Sequence, residues 1–103
     1  MVATQLLELD DVRQIAEEVG RRQLPEGSVH RAEVQPTLDS SGQGALRILF
    51  VLEPGAPERI PGDALLKLLV GLRMELERRG EERVPIVKYA TTDEVAEARD
   101  DDD

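Results

Sequence analysis

From Gln5 to Arg22 the apolar residues Leu6, Leu9, Val12, Ile15, Ala16 and Val19 recur at three- and four-residue intervals, the spacing that lines one face of an α-helix. Asp10 or Asp11 is placed to cap a late start of that helix, and Gly20 with the "LPEG" of Leu24–Gly27 supplies its stop. Between Ser28 and Leu38 the period changes to two: Ala32, Val34 and Leu38 fall on one side, and Arg31, Glu33, Gln35 and Thr37 on the other. That alternation predicts a strand with one wet face, and Pro36, which lacks a ladder donor, places it at a sheet edge. The turn-rich "DSSGQG" then predicts a hairpin. In Ala45–Leu52, Leu46, Ile48, Phe50 and Leu52 line one face while Leu49 and Val51 make the other apolar too. A strand apolar on both faces belongs in the middle of a sheet.

A Pro/Gly-rich connection, Glu53–Asp63, leads into a second helix over Asp63–Arg79 that ends at Gly80. "VPIVKYA", Val84–Ala90, is a third strand, its early Pro85 again fitting an edge. Thr91-x-x-Glu94 is a capping box and predicts a short helix ahead of the terminal Asp run. The chain therefore reads as an α+β domain of order α-β-β-α-β with a short C-terminal helix: a small three-stranded mixed sheet with helices mainly on one face. The first two strands pair antiparallel, and the crossover through the second helix sets the third strand parallel to the second. Residues 1–90 form the domain, and residues 91–103 a short helix with an acidic, disordered tail.

Composition narrows the chemistry. Phe50 and Tyr89 are the only aromatic residues, so the core is aliphatic and platforms for stacking bases or sugars are nearly absent. Cysteine is missing altogether, which removes disulfides, thiolate metal sites and a thiol nucleophile. No run approaches the roughly 20 apolar residues of a membrane span, and "MVATQLLELDD" lacks the pattern of a secretory leader, so a soluble, cytoplasmic protein is expected. The net charge is −9, but Thr91–Asp103 holds seven acids against Arg99, and residues 1–90 carry only −3. That balance disfavours nucleic acid, whose binding needs clustered Lys and Arg to neutralise phosphates. The run Asp100–Asp103 repels itself and reads as a solvated appendage or a lure for a basic partner.

The connection follows the carboxyl end of a central strand, where open α/β sheets bind ligands. Its residues argue against an anion: Pro54, Pro57 and Pro61 delete N–H donors, and Glu53, Glu58 and Asp63 put negative charge where an anion would sit. Asp63 reads as the cap of the second helix, the three carboxylates lack the spacing of a calcium loop, and the whole connection reads as a corner. His30, the only histidine, has no partner in sequence for catalysis, and Ser28, Ser40 and Ser41 sit in turns without a nucleophile elbow. The element order, with Gly27–Ser28 opening the first strand, looks like the minimal nucleotidyltransferase core. That family carries a paired Asp-x-Asp leading into the next strand to hold catalytic metal; here the stretch is Asp39-Ser40-Ser41, so the resemblance implies an inactive relative. A KH-like RNA-binding domain has a similar order of elements, but its Gly-x-x-Gly loop in basic surroundings has no counterpart in "PGAPERIPG" or "SSGQGA".

The second helix holds more apolar residues than one core face needs. Leu65, Leu68, Leu69, Leu72 and Leu76 form the main stripe; Leu66, Val70 and Met74 form a second row; and Lys67, Gly71, Glu75 and Arg78 make the wet side. Either the first helix covers that row or the row is an exposed interface. The expectation is a non-enzymatic interaction module, adaptor or regulatory and capable of self-association, whose interface centres on Leu66, Val70 and Met74. No catalytic, cofactor-binding or metal-ligating set is expected. Its expected partner is a protein or a second copy, with no membrane, with nucleic acid disfavoured and with a small-molecule ligand left open; the alternative reading is a catalytically inactive nucleotidyltransferase-like domain or a KH-like RNA-binding domain.

Overall fold

The computed structural model describes residues 7–100, so Gln5 and Leu6 of the first helical pattern and Asp101–Asp103 of the acidic tail lie outside the described residues. The elements are α1 (Leu9–Gln23), β1 (Val29–Leu38), β2 (Gly44–Leu52), a 3-10 turn (Ala56–Arg59), α2 (Ala64–Arg78), β3 (Val84–Thr91) and α3 (Thr92–Asp100). The strands lie in the order β1-β2-β3, the first pair antiparallel and the second parallel. This is the α+β fold with a three-stranded mixed sheet that the apolar pattern predicts.

One face of the sheet carries the main core. Leu46, Ile48, Phe50 and Leu52 of β2 meet Val12, Ile15, Ala16 and Val19 of α1 and Ala64, Leu68, Leu72 and Leu76 of α2. The opposite face is not open throughout. Val51 and Ala45 of β2 are fully buried there, and α3 crosses it with Val95 turned inward and Arg99 bonded to Glu33 of β1 at 2.8 Å. Thus α1 and α2 form one layer, the sheet a second, and α3 a partial third.

Three features of α1 and β1 depart from the sequence pattern. Gly20 does not stop α1: the helix runs through it to Gln23, and Leu24 is the C-cap. Gly20 is instead the point of closest approach to the sheet, where an added Cβ would lie 2.8 Å from Cε1 of Phe50 and 3.4 Å from Cγ2 of Val29. Nor do Asp10 and Asp11 cap the helix. They occupy its first turn behind the N-cap Glu8, where they complement the helix dipole. Leu9, assigned to the apolar face, is 37% exposed, and Leu7 packs against the core in its place.

In β1 the pairing shifts between Val29 and Arg31, leaving His30 as an extra residue in a β-bulge. Because of the bulge, Val29 and Ala32 both face the core although they are three residues apart. Leu38, which the alternation places on the same side, lies at the hairpin end opposite Gly44 and is exposed. The outer edge of β1 is covered by α1: Glu17 Oε2 accepts the Ala32 N–H at 3.0 Å, and Arg21 donates to the His30 carbonyl at 3.4 Å. With Ala32 N–H pointing outward, the two-residue period turns the nitrogen of Pro36 outward as well, so the proline costs the sheet no ladder bond.

The helix termini show which polar residues do the capping. Thr91 and Glu94 form the reciprocal box, with Thr91 N–H donating to Glu94 Oε1 at 2.9 Å and Glu94 N–H donating to Thr91 Oγ1 at 3.3 Å. Gly80, at φ +89°, ends α2 in a Schellman motif: its N–H donates to the Glu77 carbonyl and the Glu81 N–H to that of Leu76. Asp63 occupies the N-cap position of α2 but makes no side-chain cap bond. Its carboxylate turns to Lys67 at 3.2 Å, and the hydrogen bond and charge of that lysine hold it below its usual range. Thermal melts should separate the two caps: Asp63→Ala leaves the midpoint nearly unchanged, whereas Thr91→Ala costs about 1 kcal/mol.

Candidate functional site

The second apolar row of α2 is left uncovered by the first helix. The buried residues Ala64, Leu68, Leu72 and Leu76 repeat every four positions and define the core face. At 100° per residue, Leu66, Val70 and Met74 lie directly opposite. They are 65%, 48% and 65% exposed. Helix α1 does not cover them because it packs on a different side of α2: an added Cβ at Gly71 would lie 3.4 Å from the Gln23 side chain and 3.7 Å from Val19. Gly71, assigned by its polar neighbours to the wet side, is therefore the helix crossing point. Glu75 beside it is only 16% exposed and binds Arg78 and Arg79, each at 2.9 Å. The apolar row is bordered by charged side chains that pair along the helix, Lys67 with Asp63 and Arg73 with Glu77.

The connection between β2 and α2 turns the chain and also borders a cavity. Its 3-10 turn and the segment after it form one wall of a cavity of about 270 Å³ at the carboxyl ends of β2 and β3. Pro57, Ile60, Pro61 and Leu65 line that wall, Leu52 and Tyr89 come from the sheet, and Thr91 and Glu94 stand at the start of α3. Burial pushes the Tyr89 phenol up from its ordinary value. The sequence could not show this cavity because Tyr89 and Glu94 reach it from elements more than twenty residues beyond the connection.

The carboxylates of the connection are not brought together. Glu53 meets the bulged His30, with Nδ1 and Oε2 2.9 Å apart, and Asp63 is held by Lys67. Among the described residues no group of three or more His, Asp or Glu side chains is arranged to hold a metal ion. His30 is exposed and closes the end of the hairpin together with Glu53, whose backbone N–H donates to the Ser28 carbonyl at 2.9 Å. The Ser28 side chain is fully buried, and its hydroxyl has no hydrogen-bond partner among the described residues.

One buried ionic group has no signature in the sequence pattern. Glu81 is enclosed where α2 gives way to β3, its side chain fully buried. Its Oε1 accepts the Leu7 N–H at 3.1 Å and Arg83 Nη2 at 2.9 Å; its Oε2 accepts the Arg83 backbone N–H and Nε, both at 2.9 Å. Arg83 Nη2 also donates to the Leu7 carbonyl at 2.8 Å. Burial pushes the Glu81 carboxyl up, but the hydrogen bonds from Arg83 and Leu7 and the arginine charge outweigh it and hold the group below the usual carboxylate range. The result is a clasp that ties the segment before α1 to the start of β3. In sequence Glu81 is only an acidic residue after the helix-ending Gly80, with nothing local to mark its burial.

Among the described residues no helix is long and apolar enough to cross a membrane. Comparison of the chain with protein-family models, with curated proteins and with solved structures finds no match.

Proposed function

We propose that this chain is a small non-enzymatic protein-interaction module that docks through the outer face of α2, with a second copy of the chain as the first partner to test. The observation that carries the reading is the exposure of Leu66, Val70 and Met74 on the face of α2 opposite the core. Nothing in the packing of the domain requires apolar side chains there, and removing them from water is favourable at about 25 cal/mol per Å².

The geometry bounds the interface. A row at i, i+4 and i+8 extends about 12 Å along a helix. Such a row is one ridge, and packing it against the same ridge of another helix gives a crossing near −50°. It can form the centre of an interface but is too small to be all of a standard one of about 1,600 Å². Association is accordingly weak and reversible, which suits an adaptor or regulatory role.

Sedimentation velocity from low micromolar to millimolar concentration tests this. The weight-average mass should rise with concentration for the natural chain and stay at the monomer value for Leu66→Glu combined with Val70→Glu. The same double variant should melt within a few degrees of the natural chain, since neither residue belongs to the core. A natural chain that remains monomeric at millimolar concentration rejects self-docking. A large drop in melting temperature for the variant rejects the outer row as a free surface.

A further inference from the structure

We infer that the cavity at the carboxyl ends of β2 and β3 is a binding site for a small organic cation with an apolar body, an alkyl or arylalkyl amine. It is distinct from the outer face of α2, and the inference does not depend on the docking role of that face.

Size and lining set the first constraint. At about 270 Å³ the cavity falls just below the range of roughly 300–1,000 Å³ typical of ligand pockets, which selects a compact ligand. Its walls are Leu52, Ile60, Leu65 and two prolines, so the body of that ligand is apolar. Pro57 and Pro61 have fixed backbone angles, so this wall is formed before a ligand arrives and little ordering entropy is lost on binding.

Charge sets the second. Glu94 is the only formally charged residue among those lining the cavity, and the prolines remove N–H donors that an anion would need. The Glu94 carboxylate is held in place through Oε1, which accepts the Thr91 N–H at 2.9 Å and the Thr91 hydroxyl at 3.2 Å. Its Oε2 takes no hydrogen bond among the described residues and is available to an ammonium group. Tyr89 adds an aromatic ring, whose electron-rich face attracts cations. A chain of net charge −9 further favours a positive ligand over a negative one.

The chain contains one tyrosine and no tryptophan, so its intrinsic fluorescence reports from this cavity. Titration at neutral pH with hexylammonium, 1-hexanol and hexanoate compares cation, neutral and anion on one apolar body. Hexylammonium should give a saturable change in Tyr89 emission, with affinity on the order of tenfold above hexanol, and hexanoate should give none. Glu94→Gln should abolish the preference for the amine while leaving hexanol binding in place. Leu65→Phe, which fills the cavity, should abolish the response to both while circular dichroism stays that of the natural chain. Absence of a saturable response to hexylammonium overturns the inference, as does tighter binding of hexanoate. An amine preference that survives Glu94→Gln, in a variant whose circular dichroism is unchanged, overturns the role given to the carboxylate.

Discussion

Phe50→Ala is expected to lower the unfolding free energy by about 3–5 kcal/mol, which for a domain of this size is a large share of its stability. Phe50 is fully buried on the central strand. It supplies the one aromatic ring of an otherwise aliphatic core, and truncation leaves a cavity that rigid neighbours cannot collapse to fill. The ring also determines what α1 tolerates. Because an added Cβ at Gly20 would come within 2.8 Å of Phe50 Cε1, Gly20→Ala should destabilise even though alanine is the better helix former by about 1 kcal/mol. Gly20→Val should cost about 1–3 kcal/mol. The two sites are in contact, so their effects should not add: in a Phe50→Leu background the penalty of Gly20→Ala should shrink or reverse. Urea unfolding of the four chains measures the coupling, and strict additivity would show that Gly20 and Phe50 do not share the space assigned to them.

Glu81→Ala carries the second large effect, about 3 kcal/mol or more, because it leaves Arg83 without its partner in a mostly buried position and strips the Leu7 and Arg83 N–H groups of their acceptor. The pH dependence follows from the direction of its shift. Glu81 sits below its ordinary value of 4.5 in the folded chain, so folding favours its ionised form. Its contribution is fully present above about pH 4.5 and is lost as the pH falls from there through the lower folded value. Glu81→Gln has no such titration. The stability gap between the natural chain and Glu81→Gln, measured by urea unfolding, should therefore be constant from pH 7 down to about pH 5 and close progressively below that. A gap that stays constant through acid pH would mean that folding does not shift the Glu81 carboxyl, and a gap that widens toward acid would mean that the fold holds it protonated.

The parts of this architecture legible in the sequence are those set by local periodicity. The two-sided apolar run of β2, the alternation of β1, the prolines at both sheet edges and the Thr91–Glu94 box each encode their own placement, and the layer order follows from them. What was not legible depends on residues distant in sequence. Gly20 resembles a helix stop until Phe50 lies against it, and Gly71 resembles a solvent position until Val19 and Gln23 cross over it. Asp63 has the chemistry of a cap, yet Lys67 draws its carboxylate away. The candidate interface was legible as a surplus row on α2, but its exposure was decided by the side of α2 on which α1 settles. The cavity was half legible: its wall stood out as an unusual connection, while its aromatic ring came from the far end of β3 and its charge from the first turn of α3.

The sheet edges have a consequence for how molecules of this chain behave at high concentration. The edge of β1 already gives its Ala32 N–H and His30 carbonyl to α1 side chains, and β3 carries a proline and a lysine, both of which discourage an incoming strand. Lateral growth of the sheet is hindered at the start of β1, where α1 occupies the edge, and penalised along β3. Concentrated solutions of the folded protein should therefore remain free of fibrils and fail to seed thioflavin-positive polymer, however readily the helix faces meet.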